Sequence, residues 1–497
     1  MLGSIQLMAK NLPQLSKRVN IPEYDRKNLK TGIVHIGVGN FHRSHEAFYT
    51  DKVLQINGPD WGICGIGLLE RDQRMIDILR RQDGLYTLIT RGPGKHSGAR
   101  IIGSIVEYLY APANQEAVIE KMASPDVRII SMTITEGGYN YDPDTEDFRF
   151  SEPLIQWDLE HPDQPRTVFG YLTQALKSRA DYGMPGLTIL SCDNIQKNGL
   201  VCKTMLSKYM KIADPELLAW MRLHCTFPNS MVDRITPATT SYDIEQLDRI
   251  YGIKDEWPVP CESFIQWVVE DQFKNGRPCW EDAGVQFVND VEPYERMKIR
   301  LLNAGHSLLG FAGSLLGYQT IDETIHDPLL ENYLRLFMNS DVTPVLGRIE
   351  GVDLDEYKNN LIQRFGNPNI KDKLSRICAE SSDKIPKFLL PTLREQLKRG
   401  GSIKYSVLVI ACWCRYLELT GTPDFDYEIQ DPMKDELIPA AKASVNQEDA
   451  LAFLKIRTIF GDLIHSERFV ELYLTLIREL RNSGIEITIK KLIQNLL

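Results

Sequence analysis

The stretch Gly32-Ile-Val-His-Ile-Gly-Val-Gly-Asn-Phe-His-Arg43 combines a short apolar strand with a tight turn that contains two glycines. Apolar residues at helical spacing follow from His45 to Leu54, and a second apolar strand is predicted at Gly62–Gly67. Strand, helix and strand in this order and at this distance are typical of a parallel sheet with right-handed crossovers.

The rest of the chain divides into a strand-rich part and a helix-rich part. Further strands are predicted at Leu85–Thr90, Ile101–Leu109, Val127–Thr133 and Leu187–Ser191, whereas helical periodicity dominates from about residue 285 onward and includes one helix over 295–316. The sequence therefore predicts an α/β protein. Residues 1–285 form a Rossmann-type dinucleotide-binding domain with an N-terminal strap, and residues 286–497 form a mainly α-helical domain that supplies substrate-binding and catalytic residues.

Composition excludes several classes of function. A net charge of −10, a pI near 5.5 and dispersed basic residues argue against a nucleic-acid-binding surface. The longest apolar run, Val407 to Trp413, is too short to span a bilayer, and the N-terminus lacks the apolar core of a signal peptide. Nine cysteines without a CxxC pair are typical of reduced thiols. We therefore expect a soluble cytoplasmic protein that binds neither nucleic acid nor membrane.

The turn at Gly37-Val-Gly39 is a candidate phosphate site. Bare backbone at the start of a helix can approach a pyrophosphate, although a plain tight turn would have the same sequence. The third glycine of the usual fingerprint is absent, and Arg43 could supply a phosphate contact as a charged donor. Loops that follow parallel strands at the same sheet edge are further candidates. The predicted cofactor-binding residues in these turns are Ile36, Gly37, Val38, Gly39, Asn40, Phe41, His42, Arg43, Thr135 and Glu136.

The charged residues after the second strand bear on the choice of dinucleotide. Glu70 and Asp72 favour NAD, because an acid at this place accepts hydrogen bonds from the ribose hydroxyls and repels a 2′-phosphate. Arg71 and Arg74 could tolerate NADP, and a solvated charged loop is the alternative interpretation.

Lys298 is the candidate proton-transfer group. On an α-helix over 295–316, Lys298 and His306 project within about 80° of each other, and Asn303 lies about 140° from Lys298. Burial can bring a lysine towards neutrality, so that it acts as a general acid/base. The amides of Asn194 and Asn303 could stabilise a developing alkoxide. The alternative is an exposed lysine on an amphipathic helix, with structural asparagines.

Metal chemistry is not expected. His42 and His45 stand three residues apart, but no third ligand is evident nearby, and the cysteines offer no zinc site.

Five motifs together resemble the polyol-specific long-chain dehydrogenase/reductase family, and the resemblance covers nearly the whole chain. The motifs occupy residues 37–45, 133–139, 191–194, 227–237 and 295–306. Membership implies a Rossmann-type domain followed by a helical domain. It also implies metal-independent, reversible hydride transfer between C2 of D-mannitol and NAD, which gives D-fructose and NADH.

The resemblance also implies roles for individual residues. Lys298 matches the general acid/base, Asn194 and Asn303 match amides that stabilise the oxyanion, and Asp72 matches the acid that favours NAD. The residues that match substrate-binding positions are His306, Asp233 and Arg376. Relatives often carry a small residue at the position of Asn40.

Alternative functions remain within and outside the family. Arabinitol or sorbitol could be the preferred polyol, or the enzyme could be a hexuronate oxidoreductase in which Arg376 contacts the carboxylate. A non-catalytic NAD-binding sensor is the alternative from another class, although a sensor needs no proton shuttle. The expected partners are a polyol and its ketose, and a monomer is compatible with the sequence.

Overall fold

The first part of the chain is rich in strands, which form five sheets among the residues that the structure describes. The strands are β1 Ile5–Gln6, β2 Thr31–Ile36, β3 Gly62–Gly67, β4 Tyr86–Arg91, β5 Gly98–Ile102, β6 Ile105–Tyr110, β7 Ile129–Met132, β8 Tyr141–Asp142, β9 Asp147–Phe148, β10 Thr188–Ser191, β11 Ser230–Asp233, β12 Ile253–Lys254, β13 Val259–Glu262, β14 Gln266–Glu270 and β15 Gln286–Val288. The computed structural model describes residues 3–92, 97–142, 147–423, 425, 427–446 and 449–497. Two compact units divide the chain, Met1–Glu292 and Pro293–Leu497.

Helices connect the strands of the first unit. They are α1 Leu12–Leu15, α2 Asn40–Ser44, α3 Glu46–Asn57, α4 Gln73–Arg81, α5 Gln115–Ala123, α6 Thr135–Gly138, α7 Pro153–Glu160, α8 Val168–Asp181, α9 Asn198–Ala213, α10 Pro215–His224 and α11 Ser241–Tyr251. Short 3₁₀ turns lie at Ala9–Asn11, Arg26–Asn28, Glu70–Asp72 and Trp280–Ala283.

The largest sheet has five parallel strands in the order β10-β7-β2-β3-β6. Numbered along the chain from β2, this order is 3-2-1-4-5 when read from β6, as in dinucleotide-binding sheets. The order in which successive strands are placed reverses between β2 and β7, which pair in parallel from Ile33↔Ile129 to Ile36↔Met132. Apolar side chains cover both faces of this sheet, with Val34 and Ile36 in one cluster and Ile33 in another. The predicted Rossmann-type fold is confirmed.

For two of the predicted strands, the observed sheet differs from the single parallel sheet that was predicted. β4, predicted at Leu85–Thr90, pairs with β13 and β5 in a separate three-stranded sheet. The strand predicted at Ile101–Leu109 is broken at Gly103 and Ser104, so that β5 and β6 lie in different sheets. Side chains satisfy the backbone at this break, because Asp51 accepts from the Gly103 N–H at 2.9 Å and Arg26 donates to the Gly103 carbonyl at 2.9 Å.

The second unit is helical. Its helices are α12 Glu292–Met297, α13 Ala304–Leu315, α14 Ile321–Ile325, α15 Pro328–Leu336, α16 Thr343–Leu346, α17 Leu354–Phe365, α18 Leu374–Cys378, α19 Ser381–Phe388, α20 Leu390–Arg399, α21 Lys404–Leu419, α22 Lys434–Ala443, α23 Arg457–Phe460 and α24 Glu467–Ile493. Two π-helical segments, Lys298–Asn303 and Phe337–Val342, contact each other, and 3₁₀ turns lie at Phe453–Lys455 and Leu463–His465. Among the residues described, no helix combines the length and apolar character that crossing a membrane requires.

All nine cysteines are free thiols, and eight of them are buried. Cys279 is the exposed one. Core positions at Cys64 and Cys202 in the first unit, and at Cys412 in the second, show that the thiols serve as small apolar side chains.

Candidate functional site

Three loops at one edge of the five-stranded sheet bring predicted site residues together. Gly37 and Gly39 follow β2, Thr135 and Glu136 follow β7, and Asn194 follows β10. Because β10, β7 and β2 are adjacent and parallel, their carboxyl ends lie side by side. Gly39, Thr135, Glu136 and Asn194 are all exposed, so these loops form an accessible rim where the strand order reverses.

The two glycines of the turn differ in the space around them. Gly37 has a φ of +89°, and a Cβ there would lie 2.1 Å from the Thr133 carbonyl oxygen, so no other residue fits. A Cβ at Gly39 would meet nothing nearer than 3.9 Å, which leaves its backbone open to solvent. The Gly39 N–H donates to the Gly37 carbonyl at 2.7 Å, and α2 begins directly afterwards. This open backbone fits the approach of a dinucleotide phosphate.

Arg43 does not reach the rim. The residue is fully buried, and its guanidinium donates to the Trp257 carbonyl at 2.8 Å and to Oδ1 of Asn40 at 2.7 Å. Asn40 in turn donates to the Pro237 carbonyl at 3.1 Å. Contrary to the predicted phosphate contact, Arg43 holds the first helical turn to the segment around Trp257 from inside the unit. The prediction took the charge of Arg43 into account but not the direction in which α2 turns it.

His42 is also buried, in a polar cluster that sequence reasoning missed. Its ring stacks on the ring of His35 with centroids 3.4 Å apart, and its Nδ1 lies 3.2 Å from Oε2 of Glu46. The pKa of His42 is lowered to about 3 by burial and then by the charge of His35, so the ring is neutral. Burial would raise the pKa of Glu46, but hydrogen bonds with His35 and His42 hold it well below its usual range. The signal available in the sequence was His35 itself, a polar residue inside an apolar strand.

This cluster changes the expectation about metal ligands. His42 was paired with His45 in the sequence, whereas in the structure its companions are His35 and Glu46, with ligand atoms within 4.8 Å of one another. The two imidazole planes lie at 17° to each other. Because stacked rings direct their in-plane nitrogen lone pairs nearly parallel, these two histidines do not converge on one ion.

Asp193 organises the loops around Asn194, and sequence reasoning gave it no role. Its carboxylate accepts from the Ile134 N–H at 3.0 Å, the Thr135 N–H at 2.9 Å and the Tyr139 hydroxyl at 2.7 Å. Thr135 has a φ of +62°, which is strained for a β-branched residue. The loop after β10 thereby fixes the loop after β7. Burial raises the pKa of Asp193.

Asp233 ends β11, and a buried amide ties the start of that strand to β10. Asn198 donates to the carbonyls of Ser191 at 3.1 Å and Ser230 at 2.8 Å. Its Oδ1 accepts from the Ser230 N–H at 2.9 Å. Asp233 itself is buried, and it lies opposite Gln266 in the antiparallel pair of β11 and β14.

The residues after β3 surround a cavity of about 500 Å³. Its lining includes both acidic and basic side chains, which are Glu70, Arg71, Arg74, Arg81 and Glu256. The sequence predicted this combination of charges for the first three of these residues. Asp72 is half-buried outside this lining, and its Oδ2 accepts from the Leu69 N–H at 3.0 Å. One of its two carboxylate oxygens is therefore engaged in holding the turn.

In the second unit, Lys298 opens a π-helical turn. The single helix predicted over 295–316 is interrupted, because Lys298–Asn303 is a π-helix in which the Ala304 N–H donates to the Ile299 carbonyl five residues earlier. This bonding makes residues five apart neighbours, so Lys298 and Asn303 lie on the same side and not about 140° apart as an α-helix predicts. Lys298 is only 6% exposed. Oδ1 of Asn303 is buried and has no hydrogen-bond partner among the described residues.

Ion pairs anchor the helix on both sides of Lys298. Arg300 donates to the two carboxylate oxygens of Glu395 at 2.6 and 3.0 Å, and Arg296 donates to the same carboxylate at 3.2 Å. Hydrogen bonding from Arg300 lowers the pKa of Glu395. The lysine backbone is thus held between two arginines that share one carboxylate on α20.

The remaining predicted substrate residues of this unit lie on two helices in contact. His306, on α13, is half-buried and packs against the ring of Phe365 with centroids 4.6 Å apart. Arg376 lies on α18, which contacts α13. Its side chain is 68% exposed, and its Nε donates to Asp372 at 2.6 Å.

Comparison with known proteins shows which family the chain belongs to. Residues 31–282 match the family described as "Mannitol dehydrogenase Rossmann domain", and residues 290–480 match "Mannitol dehydrogenase C-terminal domain". The chain is 44% identical to the mannitol 2-dehydrogenase of Neosartorya fischeri, over 99% of this chain and 100% of that protein.

Two solved structures are similar to this one. A Pseudomonas fluorescens mannitol 2-dehydrogenase, in ternary complex with NAD and D-mannitol, is 42% identical with a TM-score of 0.88 and covers 99% of this chain and 100% of its own. A D-sorbitol dehydrogenase in substrate-free form is 37% identical with a TM-score of 0.90 and covers 97% of this chain and 100% of its own.

Proposed function

Because this chain belongs to the mannitol dehydrogenase family, we propose that it is an NAD-dependent mannitol 2-dehydrogenase. The reaction is reversible hydride transfer between C2 of D-mannitol and NAD, which gives D-fructose and NADH. The similarity to a mannitol 2-dehydrogenase solved with NAD and D-mannitol supports both the cofactor and the substrate. The single observation that carries the mechanism is the burial of Lys298 in a π-helical turn that it shares with Asn303.

The loops at the edge of the five-stranded sheet would hold the dinucleotide. When bound, NAD accepts the hydride at its nicotinamide ring. The open backbone of Gly39 suits a pyrophosphate, and Glu70 and Asp72 after β3 suit the ribose hydroxyls. Thr135 and Glu136 complete the proposed contacts on the neighbouring loop.

Lys298 moves the proton in this proposal. In polyol oxidation its neutral amine accepts the proton of the C2 hydroxyl, and in ketose reduction its ammonium form returns a proton to the carbonyl oxygen. A lysine is rarely buried without a functional or pairing reason, which supports a role beyond surface charge. Asn194 and Asn303 donate amide hydrogen bonds to the same oxygen while it carries negative charge.

The other polyol hydroxyls are assigned to three residues. Asp233 accepts hydrogen bonds as a carboxylate, His306 offers a ring nitrogen, and Arg376 offers guanidinium donors. The pairing of Arg376 with Asp372 supports the binding of an uncharged polyol over a hexuronate, because the partner carboxylate already balances the cation.

We further propose that the reaction needs no metal. An amine and two amides supply the proton transfer and charge stabilisation that a metal ion supplies in other alcohol dehydrogenases. The buried group of His35, His42 and Glu46 presents stacked rings, which suits packing more than ion binding.

A sorbitol dehydrogenase is the second candidate function. It is favoured by the similar fold of the D-sorbitol dehydrogenase, which at 37% identity is nearly as close as the mannitol enzyme. Steady-state kinetics with mannitol, sorbitol and arabinitol, each with NAD and with NADP, distinguish the two. The highest kcat/KM is expected for mannitol with NAD. A higher value for sorbitol favours the second candidate, and NADH binding without turnover of any polyol favours a sensor.

A further inference from the structure

The carboxylate of Asp193 connects two of the loops at the rim. Its oxygens accept from successive backbone N–H groups of the loop after β7, Oδ2 from Ile134 at 3.0 Å and Oδ1 from Thr135 at 2.9 Å. The hydroxyl of Tyr139, which follows α6, lies 2.7 Å from Oδ2. Asp193 is only 8% exposed, so water competes little for these charge-assisted bonds. One side chain therefore holds the loop after β7 to the loop after β10.

The backbone of Asp193 fixes the residue that follows it. Its carbonyl accepts from the Ile195 N–H at 2.9 Å, which closes a three-residue turn centred on Asn194. The same carbonyl accepts from the side chain of Asn198 at 3.1 Å. Asp193 and Asn198 are buried, whereas Asn194 is exposed. The turn thus places Asn194 at the rim on a buried support.

The loop after β7 depends on this support because of its backbone conformation. Thr135 has a φ of +62°, in the left-handed region that a β-branched residue rarely adopts. Such conformations persist only where surrounding contacts hold them, and they are concentrated at functional sites. Thr135 and the neighbouring Glu136 are exposed at the rim. The bonds to Asp193 hold this strained, exposed segment in place.

We propose that Asp193 is a positioning residue that holds the loop of Thr135 for the dinucleotide and Asn194 for the alkoxide, so that both functions depend on one carboxylate. This inference rests on the proposed function, which assigns these loops to NAD and to the reacting oxygen. Asp193 needs no contact with either ligand, because it acts through the backbone of its neighbours. Loss of the carboxylate should therefore weaken cofactor binding and turnover together.

Asp193→Asn keeps the shape of the side chain and removes one acceptor. An amide nitrogen cannot accept from a backbone N–H, so either Ile134 or Thr135 loses its partner. The NADH dissociation constant should rise about tenfold and kcat should fall about tenfold, as for loss of a hydrogen bond to a charged group, while the KM for the polyol stays within about twofold. A folded variant with wild-type NADH affinity and kcat would overturn the inference, whatever its melting temperature.

Thr135→Gly tests whether the carboxylate holds the strained residue. Glycine adopts a φ of +62° without steric cost, so the loop then depends less on Asp193. In the Thr135→Gly background, Asp193→Asn should raise the NADH dissociation constant only about two- to threefold, compared with about tenfold in the wild type. Equal factors in both backgrounds would mean that Asp193 does not hold Thr135, and would overturn the inference.

Asp158→Asn is the matched control. Asp158 is another buried carboxylate of the first unit that accepts from two successive backbone N–H groups, Arg166 at 2.7 Å and Thr167 at 2.9 Å. These residues precede α8 and lie outside the rim loops. Asp158→Asn should therefore lower the melting temperature and leave NADH affinity and kcat within about twofold of the wild type.

Hydrogen exchange measured by mass spectrometry detects the loss of these bonds without any ligand. Asp193→Asn should speed exchange in residues 133–139, and Asp158→Asn should not. If Asp193→Asn does not fold, Tyr139→Phe removes one bond to the same carboxylate and should weaken NADH binding about two- to threefold. Unchanged exchange and NADH affinity in Tyr139→Phe would overturn the inference. If the wild type binds no NADH, the proposed function fails, and the exchange data still decide whether Asp193 holds the loop after β7.

Discussion

Replacing Lys298 should abolish most of the turnover and leave the cofactor site intact. General acid/base assistance is typically worth about 10²–10⁴-fold, which corresponds to about 3–5 kcal/mol of transition-state stabilisation. The upper part of this range is expected, because a residue only 6% exposed leaves little room for water to take over the proton. Lys298→Ala should therefore lower kcat by about 10³–10⁴-fold in both directions, with the NADH dissociation constant nearly unchanged.

A matched variant separates chemistry from stability. Lys358 is a second buried lysine of the same unit, and its Nζ donates to Asn339 at 2.6 Å and pairs with Asp355 at 2.7 Å. Lys358→Ala should lower the melting temperature but keep kcat within about twofold of the wild type, because no transition-state contact is removed. Lys298→Met, which keeps most of the length of the side chain and lacks the amine, should be as inactive as Lys298→Ala while it retains more stability.

If Lys298 transfers the proton, kcat should depend on pH in opposite directions for oxidation and for reduction. Polyol oxidation needs the neutral amine, so kcat should rise with pH, whereas ketose reduction needs the ammonium and should fall. Both trends should disappear in Lys298→Ala, and an added primary amine should restore part of its activity. Steady-state kinetics from pH 6 to 10 measure this. Near-normal turnover of Lys298→Ala with an unchanged pH profile would refute the reasoning, since another group would then move the proton.

Three further predictions concern the metal, the cofactor and the anchored helix. Activity should survive dialysis against EDTA, because no proposed step uses an ion; a loss that zinc restores would contradict the lysine mechanism. Asp72→Ala should weaken NAD binding and narrow the preference over NADP in steady-state assays, whereas a wild type that already prefers NADP would show that Arg71 and Arg74 dominate. Glu395→Gln should cost about 1 kcal/mol in unfolding free energy at pH 7, since the carboxylate is partly exposed and solvent weakens its pairs. The folded-state pKa of Glu395 is lowered, so this contribution is present above the unfolded pKa and is lost as pH falls through the folded pKa. Denaturant titrations at pH 7 and pH 3 should show the difference between wild type and variant shrinking at the lower pH; an equal difference at both would mean that the ion pairs with Arg300 and Arg296 contribute nothing.

The fold class of each part of the chain was predictable, because the spacing of apolar residues repeats along it. The strand–turn–helix–strand pattern from Gly32 and the helical periodicity after residue 285 predicted the Rossmann-type fold and the helical second part, and both are confirmed. The break at Gly103 was missed, because apolar residues continue across it and only the side chains of Arg26 and Asp51 show where its backbone groups are satisfied. The spacing of apolar residues along the chain contains no information about such partners.

The candidate site was predictable in its residue types and less so in its geometry. The rim residues Gly39 and Asn194 follow from strand ends, which sequence can locate. The π-helical turn at Lys298 could not be predicted, since one extra residue per turn leaves the local pattern of apolar residues almost unchanged. The inward direction of Arg43 depends on Trp257, far away in the sequence.

Each unit contains buried thiols, so alkylation of these thiols reports the unfolding of that unit. Burial raises the pKa of Cys225 to about 11 and the pKa of Cys202 and Cys378 to about 12, so these groups are doubly protected, by exclusion of reagent and by the scarcity of thiolate. Cys279, by contrast, is open to solvent. An alkylating reagent therefore marks Cys279 in the native protein and marks the others only after the surrounding core opens. Cys202 belongs to the first unit and Cys378 to the second. Peptide mass spectrometry of the alkylated chain therefore measures separately when each unit unfolds.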